Sequence, residues 1–394
     1  MGPLSMDRLG RAKRAFTTRR VPPVAMQELV AGQVRPRTGD LVLARVDRIG
    51  HHARLELTTG RRAHLHVGDE IIVAYAHRYA PDQFEAHVPL GLSPTHLVAS
   101  GGIASEMHSR CGDVRRPTDI SPMGLVADYR GVPLNVGAFG LLPCPVPEHT
   151  PVTVVVLGTS MNAGKTTTAH RLVRGLAVAG HSPGAAKVTG TGAGGDYWLM
   201  IDAGAHAVLD FTDVGLASTY RIEMAALERK AVELIHHLAQ AGCGAIVVEV
   251  ADGVFQQETA RLMQSELFRS RIDGVIFAAA DAVGAIGGLE RLRALELPVV
   301  ALAGKLTRSP LAVREAAAAC DLPVLTLDEL GDPATASALF GFSAPPHATP
   351  LELEEASCSQ EESGPDAHGE TEDAREPLSG SAQGVPGGLS GGVA

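Results

Sequence analysis

The chain has 394 residues, of which 45% are hydrophobic and 4% aromatic, and its formal net charge is −10. This length is sufficient for more than one hydrophobic core, and the apolar content is ample for helices layered on a sheet. Between Glu352 and Glu376 the chain carries ten acidic residues and one base, so this segment supplies about nine of the negative charges. The remaining chain is close to neutral, which argues against a nucleic-acid partner.

The cysteines and the hydropathy pattern indicate a cytoplasmic protein. Five scattered cysteines include no CxxC pair, which favours reduced thiols over a disulfide framework or a zinc site. No apolar run approaches the length that spans a bilayer, and no apolar stretch follows the N-terminal charges. His64 and His66 would share one face of a strand, but no further ligand spacing completes a metal site around them.

Basic residues crowd the first twenty positions of the chain. We predict a basic flexible arm over residues 1–35, because charged termini of this kind are commonly solvated. An anionic partner for this arm is the alternative interpretation. The basic residues are Arg8, Arg11, Lys13, Arg14, Arg19 and Arg20.

Residues 36–150 are predicted to form a β-rich, barrel-like N-terminal domain. Short alternating strands separated by turn signals are typical of small barrels. The segment GDLVLARV resembles the opening of S1-like and OB-type barrels, but the exposed aromatic side chains that stack on RNA bases are missing. We therefore favour a structural or substrate-covering module over an RNA-binding one, and we predict no fold for residues 91–150. The candidate strands before residue 91 are 41–47, 53–57, 62–66, 70–76 and 84–88.

From residue 151 buried apolar runs of strand length alternate with helical stretches, a pattern that indicates βαβ units. We predict an α/β domain over residues 151–343, with a parallel sheet and helices on both faces. Residues 344–394 contain almost no large apolar side chain, and we predict a disordered acidic tail there. The predicted strands are 153–158, 184–189, 206–211, 245–250, 273–280, 298–304 and 322–327; the helices begin at Gly164 and Pro310 or span 221–241, 258–268 and 285–295.

A phosphate-binding loop is predicted at Thr159–Thr166. The segment VVVLGTSMNAGKTTT combines a buried strand, a loop of small residues and the start of a helix, which is the context that this motif requires. Successive N–H groups and the helix N-terminus form an anion cradle, in which Lys165 reaches the β- and γ-phosphates and the Thr166 hydroxyl ligates magnesium. The predicted nucleotide-binding residues are Gly158, Thr159, Ser160, Asn162, Ala163, Gly164, Lys165, Thr166 and Thr167.

The loop and two later segments resemble dethiobiotin synthetase and related SIMIBI-type P-loop proteins. The loop reads GTSMNAGKTT, a strand end reads PGAAKVTGTG with Lys187 at the family's lysine, and another strand reads IVVEVADG with Glu249 at the family's acidic position. The resemblance covers about residues 150–330 of the chain. A similar layout, with a preceding N-terminal domain, occurs in P-loop proteins linked to N-acylation of acidic amino acids and in cofactor-assembly proteins.

This resemblance implies a magnesium site made by the loop threonine, the strand-end glutamate and an aspartate that follows the lysine segment. The matching residues are Thr166, Glu249 and an aspartate for which Asp196 is our choice. Three further aspartates stay open as candidates: Asp202, Asp210 and Asp213.

The expected cofactors are ATP and Mg²⁺, and the implied catalytic residues are Lys165 and Lys187. Guanine-binding relatives carry an Asn-Lys-x-Asp motif after a late strand, and only Lys305 matches it here, so ATP is favoured over GTP. We predict an ATP-dependent ligase or kinase that activates a small carboxylated substrate. The alternatives are a nucleotide-gated regulatory or cofactor-assembly NTPase and a P-loop acyltransferase that binds coenzyme A. The expected partner is a small-molecule substrate, with a homodimer allowed and neither a membrane nor a nucleic acid involved.

Overall fold

The computed structural model describes residues 2–342. The strands are β1 Gly2–Pro3, β2 Lys13–Arg14, β3 Glu28–Val30, β4 Leu41–Arg48, β5 Arg54–Glu56, β6 Arg62–His64, β7 Glu70–Tyr75, β8 Arg78–Tyr79, β9 Phe84–His87, β10 Thr95–Ala99, β11 Ile103–Arg110, β12 Thr118–Ala127, β13 Val152–Gly158, β14 Pro183–Lys187, β15 Ala207–Asp210, β16 Ala245–Glu249, β17 Gly274–Ala278 and β18 Val299–Ala303. The α-helices are α1 Met6–Arg11, α2 Lys165–Val178, α3 Gly194–Asp202, α4 Met224–Gln240, α5 Gln257–Leu262, α6 Glu266–Arg269, α7 Ala282–Ala294, α8 Pro310–Ala319, α9 Leu327–Gly331 and α10 Pro333–Leu339.

Five strands of the N-terminal region pair in a closed ring. β12 pairs with β4, β4 with β7, β7 with β11, β11 with β10, and β10 returns to β12. Only the β7–β11 pairing in this ring is parallel. The ring has no free edge, and it confirms the predicted barrel-like domain. β9 and β8 extend from β11 as an antiparallel pair outside the ring, and β5 and β6 pair separately. We call the ring, these two pairs and the loops that join them the barrel.

The structure corrects the prediction of a flexible arm over residues 1–35. β1 pairs with β3, β3 pairs with barrel strand β12, and β2 pairs with β7. Phe16, Val21 and Met26 are fully buried. Apolar side chains stand between the basic ones in this segment, and their burial offsets the entropy lost when the segment is ordered.

The second region is an all-parallel sheet with strand order β15-β14-β16-β13-β17-β18. Side chains alternate between the two faces along each strand. Accordingly, Val155 and Leu157 of β13 pack in one core with α4 and α7, whereas Val154 and Val156 pack in another with α2. This confirms the predicted α/β domain with helices on both faces.

Three local predictions differ from the structure. The predicted helix over 258–268 is two short helices, α5 and α6, because the Ser265 hydroxyl accepts from the N–H of Phe268 and starts a new helix. The predicted strand over 322–327 is only an isolated bridge, and Thr326 caps α9 with a capping box. Helix α3 was not predicted, because glycines open its sequence.

The parallel arrangement brings the carboxyl ends of β13, β14 and β16 to one edge of the sheet, where ligands bind in open α/β folds. Val156, Lys187 and Glu249 are in register across these three strands. Within residues 2–342, none of the helices is both long enough and apolar enough to cross a membrane. The predicted disordered tail over 344–394 lies outside the described residues.

Candidate functional site

The loop after β13 has the backbone of a phosphate cradle. Gly164 has φ 104° and stands immediately before α2, and Asn162 also has a positive φ of 63°. A side chain at Gly158 would place its Cβ 2.7 Å from Cγ of Lys165, so only glycine fits where the strand meets the lysine. The first N–H groups of α2 have no partner within the helix and are directed at the space enclosed by the loop.

Lys165 is the cation of this cradle. Its side chain is only 6% exposed, and its Nζ donates to the carbonyl oxygen of Ser160 at 2.7 Å. Burial lowers the pKa of Lys165, while the nearby carboxylates of Glu249 and Asp252 act in the opposite direction. The lysine therefore brings positive charge into a poorly solvated loop, where its attraction to a phosphate is stronger than in water.

Thr166 and Glu249 meet across the loop. The hydroxyl of Thr166 donates to Oε1 of Glu249 at 2.8 Å, and the glutamate is 3% exposed. Oε2 of Glu249 is buried and has no hydrogen-bond partner among residues 2–342, and burial raises the pKa of this carboxyl. A buried carboxylate oxygen without a partner destabilises the fold unless a cation or a hydrogen-bond donor binds it. These residues therefore fit the predicted magnesium site.

Lys187 and Asp196 form an ion pair beside Glu249. Burial opposes the charge of Lys187, but Asp196 and Glu249 outweigh it and raise the pKa of the lysine. Asp196 lies in the first turn of α3. Burial favours its neutral form, but the ion pair with Lys187 outweighs burial and lowers its pKa. The three predicted metal ligands, Thr166, Asp196 and Glu249, therefore converge.

The structure separates the four candidate aspartates. Asp196 lines the same pocket as Lys165 and Glu249. Asp210 and Asp213 form ion pairs with Arg19 of the N-terminal segment instead. Asp202 is exposed at the end of α3. Of the four, only Asp196 shares the pocket with the phosphate loop.

The pocket over the loop has a volume of about 430 Å³, which is within the range of small-molecule sites. The loop and the ends of β14 and β16 form its floor. Barrel residues also line it, including His52, Arg78 and Gln83. The amide of Asn162 in the loop donates to Asp82, which lies between β8 and β9. The barrel thus covers the pocket directly.

Among the lining residues that the sequence analysis did not predict, Arg78 and Asp252 carry charge. Arg78 comes from the barrel, and no local pattern around it signals a ligand site. Asp252 follows β16 and has a positive φ of 62°. Gly253 packs against the carbonyl of Thr159 so closely that a side chain there would clash. An Asp-Gly pair three residues after a predicted metal ligand was the available signal for Asp252.

Asp252 gives the free protein a pH-dependent stability. Burial raises the pKa of its carboxyl to about 6, from 3.8, although Lys165 and Lys187 oppose the shift. The folded state therefore holds this proton more tightly than the unfolded state, and stability falls as pH rises from about 4 through about 6.

We expect Asp252→Asn to raise the free energy of unfolding by about 1–3 kcal/mol at pH 8, with the gain shrinking towards pH 4. Asparagine also tolerates a positive φ, so the backbone is not strained by the change. Denaturant titrations at several pH values measure this. An equal gain at pH 4 and pH 8 would show that Asp252 is not the titrating group.

No family model matches the chain, and no curated protein matches it. Among solved structures, the chain is similar to the signal recognition particle 54 kDa protein of Aeropyrum pernix K1 in complex with GDP, with 21% identity and a TM-score of 0.33. It is also similar to the signal recognition particle receptor FtsY of Elizabethkingia anophelis in complex with GDP, with 15% identity and a TM-score of 0.30. The cell division protein FtsY of Thermotoga maritima shows 16% identity and a TM-score of 0.31.

These alignments cover 50%, 49% and 50% of this chain and 47%, 55% and 70% of the three other chains, in the same order. The chain therefore spans about half the length of the first two neighbours. Similarities of this size carry no argument about either the class or the activity of this chain. The resemblance to dethiobiotin synthetase stays a prediction, and the support for a phosphate-binding loop comes from the geometry of the cradle described above.

Proposed function

We propose that this chain binds ATP with magnesium and transfers the γ-phosphoryl group to the carboxylate of a small molecule. The observation that carries the proposal is the convergence of Lys165, the Thr166–Glu249 pair and the Lys187–Asp196 pair at one edge of the parallel sheet. Catalysis of phosphoryl transfer depends mainly on positioning and charge neutralisation, and this edge offers both.

Each residue has a distinct role in the proposal. The loop N–H groups and Lys165 bind the β- and γ-phosphates, and the lysine exchanges its bond with the Ser160 carbonyl for a phosphate oxygen. Lys187 supplies a second cation at the γ-phosphate. Thr166, Asp196 and Glu249 would hold magnesium, which supplies charge neutralisation at the β- and γ-phosphate oxygens.

The choice of ATP rests on the segment after β18. Lys305 and Arg308 line the pocket there, and Lys305 donates its N–H to the carbonyl of Ala163 in the phosphate loop at 2.9 Å. Recognition of guanine in the Asn-Lys-x-Asp manner requires a carboxylate at this segment, and residues 304–310 contain none. We therefore propose ATP as the preferred nucleotide.

The proposed reaction forms an acyl phosphate. A carboxylate oxygen of the acceptor attacks the γ-phosphorus, the bond to the β–γ bridging oxygen breaks, and ADP leaves with that electron pair. Hydroxylamine converts acyl phosphates to hydroxamates, so the test incubates the protein with Mg·ATP, hydroxylamine and a panel of small carboxylic acids. ADP and hydroxamate formed in equal amounts with one acid class support the proposal. ADP release that no acid stimulates contradicts the carboxylate acceptor.

Glu249→Gln tests the magnesium site. The change preserves the size of the side chain but removes the buried negative charge, so we expect the Mg²⁺ concentration for half-maximal ATP binding to rise by roughly tenfold or more. Glu290→Gln is the matched control, because Glu290 is exposed on α7. Calorimetric titrations at a series of Mg²⁺ concentrations measure the shift. If ATP binding by the two variants depended on the Mg²⁺ concentration in the same way, Glu249 would not be a magnesium ligand.

A further inference from the structure

Arg78 is a buried cation of the barrel that forms no ion pair with any carboxylate of residues 2–342. Its side chain lies on β8, is 6% exposed and lines the same pocket as the phosphate loop. Burial lowers the pKa of its guanidinium to about 9. A buried charge without an opposite charge destabilises a fold by several kcal/mol, so an arginine at such a position calls for a ligand.

The protein satisfies only part of the guanidinium. Nη2 of Arg78 donates to Oε1 of Gln83 at 2.7 Å, and Nη1 lies 3.1 Å from Nε2 of His52. Nε of Arg78 is buried and has no hydrogen-bond partner in the described part of the chain. A guanidinium has five N–H donors. The contacts with the Gln83 amide and the His52 imidazole use at most two of them, so most stay unused.

The contact with His52 is weaker than its distance suggests. Nε2 of His52 also lies 2.8 Å from the carbonyl oxygen of Val98. Burial and the nearby Arg78 lower the pKa of His52 to about 3, so the imidazole is neutral. One ring nitrogen cannot donate to Val98 and accept from Arg78 at the same time, so one of these two contacts is not a hydrogen bond.

The position of Arg78 relative to the loop is held by the hairpin that carries it. Asp82, in the turn between β8 and β9, accepts a hydrogen bond from Asn162 of the loop. Arg78 and the carboxylate of Asp252 influence each other electrostatically, and Asp252 in turn interacts with Lys165 and Lys187. Arg78 therefore faces the same space as the two lysines, from the barrel side.

We propose that Arg78 binds an oxyanion of the ligand in this pocket, either the γ-phosphate of the nucleotide or the carboxylate of the acceptor. Arginine suits both, because its planar fork of donors matches the spacing of phosphate and carboxylate oxygens. This inference rests on the proposed function and assigns the barrel a direct part in ligand binding. His52 and Gln83 position the guanidinium, and a bound oxyanion accepts hydrogen bonds from its remaining N–H groups.

The test compares wild type with Arg78→Gln, Arg78→Lys and the control Arg54→Gln, which changes an exposed barrel arginine outside the pocket. Calorimetry measures the binding of Mg·ADP and of Mg·β,γ-imido-ATP. A second titration adds acetate, succinate or glutamate to protein saturated with Mg·ADP. Thermal unfolding verifies that each variant is folded. Arg78→Lys keeps the positive charge but lacks the planar set of donors of a guanidinium. We therefore expect it to bind more tightly than Arg78→Gln and more weakly than wild type.

If the γ-phosphate is the oxyanion, Arg78→Gln weakens the imido analogue by roughly 10- to 150-fold and leaves ADP unchanged. If the acceptor carboxylate is the oxyanion, both nucleotides bind normally and binding of a carboxylate to wild type is lost in Arg78→Gln. If wild type binds Mg·ADP and Arg78→Gln changes the binding of neither the imido analogue nor any carboxylate, the proposed role of Arg78 is wrong. The proposed function is not affected by that result. Failure of wild type to bind Mg·ADP overturns the proposed function as well.

Discussion

Replacing Lys165 by alanine is expected to weaken ATP binding by roughly 10- to 150-fold, because each charge-assisted hydrogen bond to a phosphate contributes about 1.5–3 kcal/mol. The Nζ of Lys165 lies inside the loop. Within the residues that the structure describes, it is bonded only to the Ser160 carbonyl and has no ion pair that a phosphate would need to displace. Because burial lowers the pKa of Lys165, its removal relieves an unfavourable charge. The variant is therefore expected to stay folded.

Calorimetric titration with Mg·ATP measures the change, and Lys230→Ala serves as the control. Lys230 lies on α4, pairs with Glu233 and does not line the pocket. Binding by Lys165→Ala within about twofold of wild type would contradict the assignment of the loop, provided that both variants unfold at similar temperatures.

The second large effect concerns stability rather than binding. Arg19→Met is expected to lower the free energy of unfolding by about 3–5 kcal/mol, the range for breaking one side of a buried ion pair. A guanidinium nitrogen of Arg19 lies 2.7 Å from Asp213 and 3.4 Å from Asp210, and its side chain is 14% exposed. The guanidinium also stacks 4.0 Å from the centre of the Phe16 ring.

Removing Arg19 leaves two buried carboxylates close together. Burial and the charge of Asp210 already raise the pKa of Asp213, so the loss of the arginine raises the cost of ionising Asp213 further. The double variant Arg19→Met with Asp213→Asn is therefore expected to recover part of the lost stability. If Arg19 stabilised the fold only by packing on Phe16, adding Asp213→Asn to Arg19→Met would not recover stability.

Denaturant unfolding measures both effects, with Arg11→Met as the control. Arg11 and Asp7 form an exposed pair, with side chains 74% and 78% exposed, and such pairs contribute less than about 1 kcal/mol. A loss of stability in Arg19→Met no larger than in Arg11→Met would contradict the role of this ion pair in joining the N-terminal segment to the parallel-sheet domain.

The parts of the fold that depend on local pattern were predictable. The alternation of apolar runs with helical stretches predicted the parallel sheet, because burial on both faces leaves a clear signal in the composition of each strand. The loop at Thr159–Thr166 was visible because its glycine, lysine and threonine must stand at fixed spacing between a strand and a helix. Both features depend on residues close together in the sequence.

The parts that depend on distant residues were not predictable in this way. Asp196 could be separated from Asp210 and Asp213 only when the latter were seen to pair with Arg19, about 190 positions earlier in the chain. Arg78 lies on a hairpin of the barrel that contacts the phosphate loop through Asp82 and Asn162, and these two residues are 80 positions apart in the sequence. Such contacts are set by tertiary packing, which leaves no periodic trace in the sequence.

The most direct test is a calorimetric titration of the wild-type chain with ATP, GTP and coenzyme A, each with and without Mg²⁺. The convergence of Lys165, Thr166 and Glu249 predicts one ATP bound per chain, with an affinity that falls when Mg²⁺ is withheld and exceeds that for GTP. If the chain bound coenzyme A but not ATP, the site would be assigned to acyl transfer instead of phosphoryl transfer. Absence of nucleotide binding with and without Mg²⁺ would contradict the proposed function outright.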